Sequence, residues 1–126
     1  MLNTPNTFGW YVAGKMFDWY EANGGVSAME ERSISRTNSV YEVIDASGFY
    51  TNPVNPEQRS ICNVVFTIDD SDMEAKFMNE AAEQGLQYLK GHRSVGGMRA
   101  SIYNALPDDA VTTLVEFMKD FEKKYG

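Results

Sequence analysis

The run Cys62-Asn63-Val64-Val65-Phe66-Thr67-Ile68 concentrates β-branched and aromatic side chains and is the clearest strand in the chain. It constrains the fold more than any other stretch, because most of the remaining apolar residues recur at helical spacing. A short strand among amphipathic helices predicts a small sheet with helices packed on it.

The helices can be read from their caps and stripes. Thr4 followed by Pro5 predicts an N-cap and first helical position, with Phe8, Tyr11, Val12, Met16, Trp19 and Tyr20 forming a wide core-facing stripe. Asn23-Gly24-Gly25 ends that helix, and a second is expected from Ser27 to about Asp45, burying Met29, Val40, Val43 and Ile44. The Pro- and Gly-containing stretch from Ser47 to Ser60 reads as a loop with a short strand at Phe49 and Tyr50. Acidic residues from Asp69 to Asp72 cap a third helix that carries Phe77, Met78 and Ala81. Leu86 to Lys90 is expected as a short strand. Met98 to Tyr103 is another, with Arg99 and Ser101 on the face opposite Met98, Ala100 and Ile102. Pro107 opens a last helix with the stripe Val111, Leu114, Val115, Met118 and Phe121, and Lys123 and Lys124 suit its C-terminal dipole. The expected order is two helices followed by β-α-β-β-α, an α/β chain in a two-layer α+β arrangement, with residues 1–126 forming a single domain.

Composition excludes several functions. A net charge of −7 disfavours general nucleic-acid binding, and no run of apolar residues approaches a membrane span. With no basic signal-peptide start, a cytoplasmic location is expected. One cysteine and one histidine rule out a disulfide framework and leave little for a metal site. Cys62 reads as packing rather than a nucleophile. The carboxylate pairs Glu30-Glu31, Asp69-Asp70 and Asp108-Asp109 stand at helix starts, where the dipole accounts for them. Trp10, Phe17, Trp19 and Tyr20 read as core or interface.

The charge is unevenly distributed. Between Gln84 and Pro107 there is no acidic residue, yet the stretch carries Lys90, His92, Arg93 and Arg99 among Gly91, Gly96 and Gly97. Glycines that admit positive φ let backbone amides join Arg forks around a carboxylate or phosphate. The competing reading is a hairpin turn with solvated cations. Asn3 and Thr4, just before the first helix, form a second candidate anion site at a helix start, against ordinary N-capping.

The segment Lys90-Gly91-His92-Arg93-Ser94-Val95-Gly96-Gly97-Met98-Arg99-Ala100-Ser101-Ile102-Tyr103-Asn104-Ala105 resembles the C-terminal signature of the phosphoserine aminotransferase family. The likeness extends through Asn3-Thr4-Pro5, Asn52-Pro53-Val54, Pro56-Glu57, Arg59-Ser60, Asn63-Val64 and Asp120-Phe121-Glu122, so it covers the whole chain. Cys62 and Val65 depart from the Met and Pro usual in bacterial members, and Asn6 replaces a second proline.

The resemblance implies the small C-terminal domain of a homodimeric, fold-type-I enzyme. Such an enzyme uses pyridoxal 5'-phosphate (PLP) to move an amino group between phosphoserine and 2-oxoglutarate in serine biosynthesis. It implies that Asn3 and Thr4 hold the PLP phosphate of the neighbouring subunit. Arg99 would clamp the substrate α-carboxylate, and His92 and Arg93 would lie near the substrate phosphate or the distal carboxylate of glutamate. The chain corresponds to the last third of family members, without the Schiff-base lysine, the ring-stacking residue or the Asp partner of the pyridine nitrogen. The expectation is a domain that does not transaminate alone and does not bind PLP covalently, its large N-terminal domain being a missing partner. The alternatives are a non-catalytic anion-binding module and a structural partner of a separate large domain.

Overall fold

Asp70 begins the third helix as its sequence requires. Its carboxylate accepts hydrogen bonds from the Asp72 and Met73 amides, at 2.8 and 3.3 Å, and Asp72 and Glu74 follow in the first turn. Asp70→Ala is expected to lower stability by about 1 kcal/mol, read as a lower urea midpoint with an unchanged slope. A midpoint equal to wild type would remove the cap from this account.

The computed structural model describes residues 2–126. Its elements are α1 (Thr7–Ala22), α2 (Gly25–Ala46), a 3-10 turn (Pro56–Gln58), β1 (Asn63–Phe66), α3 (Ser71–Glu83), β2 (Met98–Ser101) and α4 (Asp108–Tyr125). They form two units, one ending at Arg32 and one from Ser33 to Gly126, with α2 running from the first into the second.

In the first unit, the cap differs from expectation. Asn6, not Thr4, caps α1, its side-chain oxygen accepting from the Gly9 amide at 3.0 Å. Pro5 stays outside the helix and accepts from the Thr7 amide instead. The apolar stripe also fails to find a core. No residue of α1 is buried, and Phe8, Tyr11, Val12 and Met16 are exposed together with Trp10 at 76% and Phe17 at 66%. Apolar side chains on most of a helix circumference exceed what one packing face can cover.

The second unit holds the main core. β1 and β2 pair antiparallel, with Asn63 opposite Ser101, Val64 opposite Ala100, Val65 opposite Arg99 and Phe66 opposite Met98. Period-two alternation sends Val64, Phe66, Met98 and Ala100 into the core and leaves Val65, Arg99 and Ser101 half-buried. The core is closed by Val40, Val43 and Ile44 of α2, Phe77 and Ala81 of α3, and Val111, Leu114, Phe117, Met118 and Phe121 of α4.

Two expected strands shrink to single bridges. Phe49 and Tyr50 give way to one pairing of Thr51 with Thr67, and the Leu86–Lys90 segment to one pairing of Lys90 with Met98. Tyr88 explains the second case, because its φ of +63° breaks an extended run. The α/β class holds, with four helices and a two-stranded sheet among the described residues. Among the described residues no helix is long and apolar enough to cross a membrane.

Candidate functional site

The acid-free segment folds as a tight turn followed by β2. The turn is closed by main-chain bonds: the Gly91 amide donates to Gly97 O at 2.8 Å, and the Val95 and Gly96 amides donate to His92 O at 2.9 and 2.8 Å. Gly97 has a φ of +63°, and a Cβ there would lie 2.7 Å from Phe66 O. Glycine is therefore required by both conformation and space.

His92, Arg93, Ser94 and Val95 project from this turn and are exposed. The His92 ring is tethered through Nδ1, 2.7 Å from Ser94 Oγ and 3.3 Å from the Ser94 amide, which donates to it.

Arg99 occupies a different setting. Its amide donates to Leu89 O at 2.6 Å, and its side chain borders a cleft of about 350 Å³ between the 85–89 segment, β2 and the start of α4. Leu86, Leu89, Ile102, Leu106 and Leu114 make the walls apolar. Arg99 Nε is buried and has no hydrogen-bond partner. An unpaired guanidinium N–H away from water is costly unless a ligand or solvent meets it, and a guanidinium fork is chemically able to receive an anion. His92 and Arg93 do not line this cleft. The structure thus separates Arg99 from the other two.

Two other arginines are held by carboxylates, although Arg59 Nε is likewise buried without a partner. Arg59 forms a two-pronged pair with Asp45 at 2.6 and 2.7 Å and stacks on the Tyr41 ring at 4.8 Å. Hydrogen bonding to Arg59 holds the Asp45 carboxyl below its ordinary range, and burial pushes the Tyr41 phenol up. Arg36 is paired with Asp108 at 2.6 Å. Among the described residues, no ion pair involves Lys90, His92, Arg93 or Arg99.

Asn3 and Thr4 lie in the first unit, exposed, ahead of the helix that Asn6 caps. Covalent attachment of PLP needs an amine that can be held neutral in a desolvated pocket. The six lysines do not fit that requirement. Lys15, Lys90, Lys119, Lys123 and Lys124 are exposed, and half-buried Lys76 sits over the Tyr125 ring at 3.8 Å. Cys62 is half-buried and lies 3.3 Å from Asn63 Nδ2 and 3.5 Å from Ser60 Oγ, a packed thiol with polar neighbours.

Sequence reasoning found the cations but missed the apolar cleft and the Ser94–His92 tether. The tether left a signal, a hydroxyl two residues after the only histidine. The cleft left none, since Leu114 reads as part of the last helix's apolar stripe and Leu86 as the start of a short strand.

A family model described as Aminotransferase class-V matches residues 1–114. Phosphoserine aminotransferase of Pseudomonas aeruginosa is 52% identical over 100% of this chain and 35% of its own length. That of Lactococcus lactis is 53% identical over 99% of this chain and 34% of its own. Among solved structures, phosphoserine aminotransferase from Bacillus circulans subsp. alkalophilus superposes with a TM-score of 0.93 at 38% identity, over 98% of this chain and 35% of that one. The PLP-bound phosphoserine aminotransferase from Trichomonas vaginalis superposes with a TM-score of 0.86 at 44% identity, over 94% of this chain and 34% of that one. The chain spans about a third of the length of the relatives it matches.

Proposed function

The chain belongs to the class-V aminotransferase family, and on that premise we propose that it is the C-terminal domain of a phosphoserine aminotransferase, supplying anion contacts to a site completed elsewhere. The observation that carries this reading is the Arg99 guanidinium, its Nε buried without a partner beside a cleft in an acid-free segment. Its planar fork suits the α-carboxylate of phosphoserine or glutamate. His92 and Arg93 stand on the adjoining turn as contacts for the substrate phosphate or the distal carboxylate. Asn3 and Thr4 supply donors for a PLP phosphate.

PLP in such an enzyme is the electron sink for amino transfer. On this reading the lysine that holds it lies in a large domain outside these 126 residues, which agrees with a chain that spans about a third of the length of its relatives. The residues of this chain bind and orient. Reading the site as cytoplasmic, and the assembled enzyme as a homodimer, follows from the same proposal.

A specific observation supports the large domain as partner. α1 leaves Phe8, Trp10, Tyr11, Val12, Met16 and Phe17 exposed, apolar surface of the kind a partner domain covers.

The test is a calorimetric titration of phosphoserine into the chain, alongside a transamination assay. Saturable binding is expected, with Arg99→Lys weakening it by about tenfold or more, because an ammonium cannot reproduce the guanidinium fork. No turnover is expected from the chain with PLP and 2-oxoglutarate. Unchanged affinity in Arg99→Lys, or full-rate transamination by this chain alone, would overturn the reading.

A further inference from the structure

His92 is the only histidine in the chain, and its two ring nitrogens are in unlike surroundings. Nδ1 faces two groups from Ser94, the amide at 3.3 Å and the hydroxyl at 2.7 Å. A backbone N–H can only donate, so Nδ1 must be the acceptor. The hydroxyl rotates to suit and donates as well. A proton on Nδ1 would instead point at the Ser94 N–H. That arrangement leaves the proton of the neutral ring on Nε2, the assignment following from the hydrogen-bond network.

The turn that carries both residues does not depend on the tether. Its closing bonds run from Gly91 N to Gly97 O and from Val95 N and Gly96 N to His92 O, all main chain to main chain. The Ser94 hydroxyl is therefore available to act on the ring rather than on the backbone.

We propose that Ser94 is a positioning residue that holds His92 as its Nε2–H tautomer, so that the neutral imidazole presents a fixed N–H donor to an oxyanion beside Arg93. A pyridine-type nitrogen in that place would turn a lone pair towards the anion and repel it. The tautomer assignment stands on the geometry of the turn. Its consequence for anion binding rests on the reading of His92 given under Proposed function.

The experiment is long-range proton–nitrogen NMR of the full 15N-labelled chain, in which a single histidine gives a single pair of ring nitrogens. It is run at about pH 8.5, two units above the ordinary imidazole pKa of about 6.5, and paired with titration of inorganic phosphate. The wild-type chain should show Nε2 as the protonated nitrogen and Nδ1 as the acceptor. Ser94→Ala keeps the amide donor at 3.3 Å and removes only the hydroxyl at 2.7 Å, so both resonances should move part of the way towards the tautomer mixture of a free histidine side chain, and Ser94→Thr should restore them. The amide fingerprint outside residues 90–98 should stay in place, showing that the fold is kept.

Phosphate affinity should fall roughly two- to tenfold in Ser94→Ala, the scale of one hydrogen bond, and at least as far in His92→Ala. An Nδ1–H pattern in the wild-type chain, or wild-type nitrogens in Ser94→Ala, overturns the proposal. A shifted tautomer with phosphate affinity unchanged in both Ser94→Ala and His92→Ala overturns the anion role of His92 and leaves the tether standing, so the two failures are distinguishable.

Discussion

Phe77→Ala will lower the unfolding free energy by about 3–5 kcal/mol, the range for deleting a fully buried aromatic ring. Phe77 has no exposed surface, and its ring meets four others: Phe117 at 4.9 Å, Phe121 at 5.1 Å, Phe66 at 5.7 Å and Tyr50 at 6.0 Å between centroids. All four pairs are edge-on, the geometry in which an aromatic pair adds about 0.5–1.5 kcal/mol beyond its buried area. Those partners come from the loop after α2, from β1 and from α4, so the ring joins elements remote in sequence. A loss of this size is a large part of the total for an ordinary domain, about 5–15 kcal/mol. Urea unfolding followed by fluorescence and far-UV circular dichroism measures it. A loss below about 1 kcal/mol would mean that the neighbouring rings collapse into the space, contrary to the close packing described here.

Arg36→Ala is the second large effect, at about 2–4 kcal/mol. The Arg36 side chain is 7% exposed while its partner Asp108 is 76% exposed, and this asymmetry decides where the energy lies. Asp108 is solvated with or without Arg36, but Arg36 is buried: its Nε and Nη2 meet Asp108 Oδ1 at 2.7 and 2.6 Å, and without that carboxylate a buried guanidinium keeps unpaired N–H groups. Arg36 Nη1 also donates to Asn104 O at 3.3 Å and lies 3.5 Å from Tyr103 O, and those carbonyls lose their charged donor when it is removed. The buried stem leaves a void as well. Asp108→Ala should consequently cost about 1–3 kcal/mol as well, and Arg36→Met, which keeps the stem and removes the charge, should cost less than Arg36→Ala. A loss below about 0.5 kcal/mol from Arg36→Ala would show that the 103–108 loop does not depend on this anchor. Leu106 of that loop lines the Arg99 cleft, so Arg36→Ala should weaken phosphoserine binding too.

The parts of the fold legible in the sequence are those set by local rules. The β1 and β2 segments, the Asp70 cap and the α4 stripe all depend on residues within a few positions of one another. Period-two alternation placed Arg99 and Ser101 on the face opposite Met98 and Ala100, as observed. What escaped depends on distance or on single backbone angles. Arg36 and Asp108 are 72 residues apart, and no pattern in either neighbourhood announces the pair. The positive φ of Tyr88 converts an expected strand into a bridge, and tyrosine carries no signal for that conformation. The α1 stripe showed that apolar side chains share a surface, but periodicity says nothing about what covers it. The site was half legible in the same sense. A missing charge sign between Gln84 and Pro107 marks the cations, whereas assigning His92 and Arg93 to a turn and Arg99 to a cleft requires the chain path.

The exposed helix α1 also bears on abundance in the cell. A chain that displays Trp10, Phe17 and Phe8 to water is prone to sticking and to triage by chaperones and proteases until something covers it.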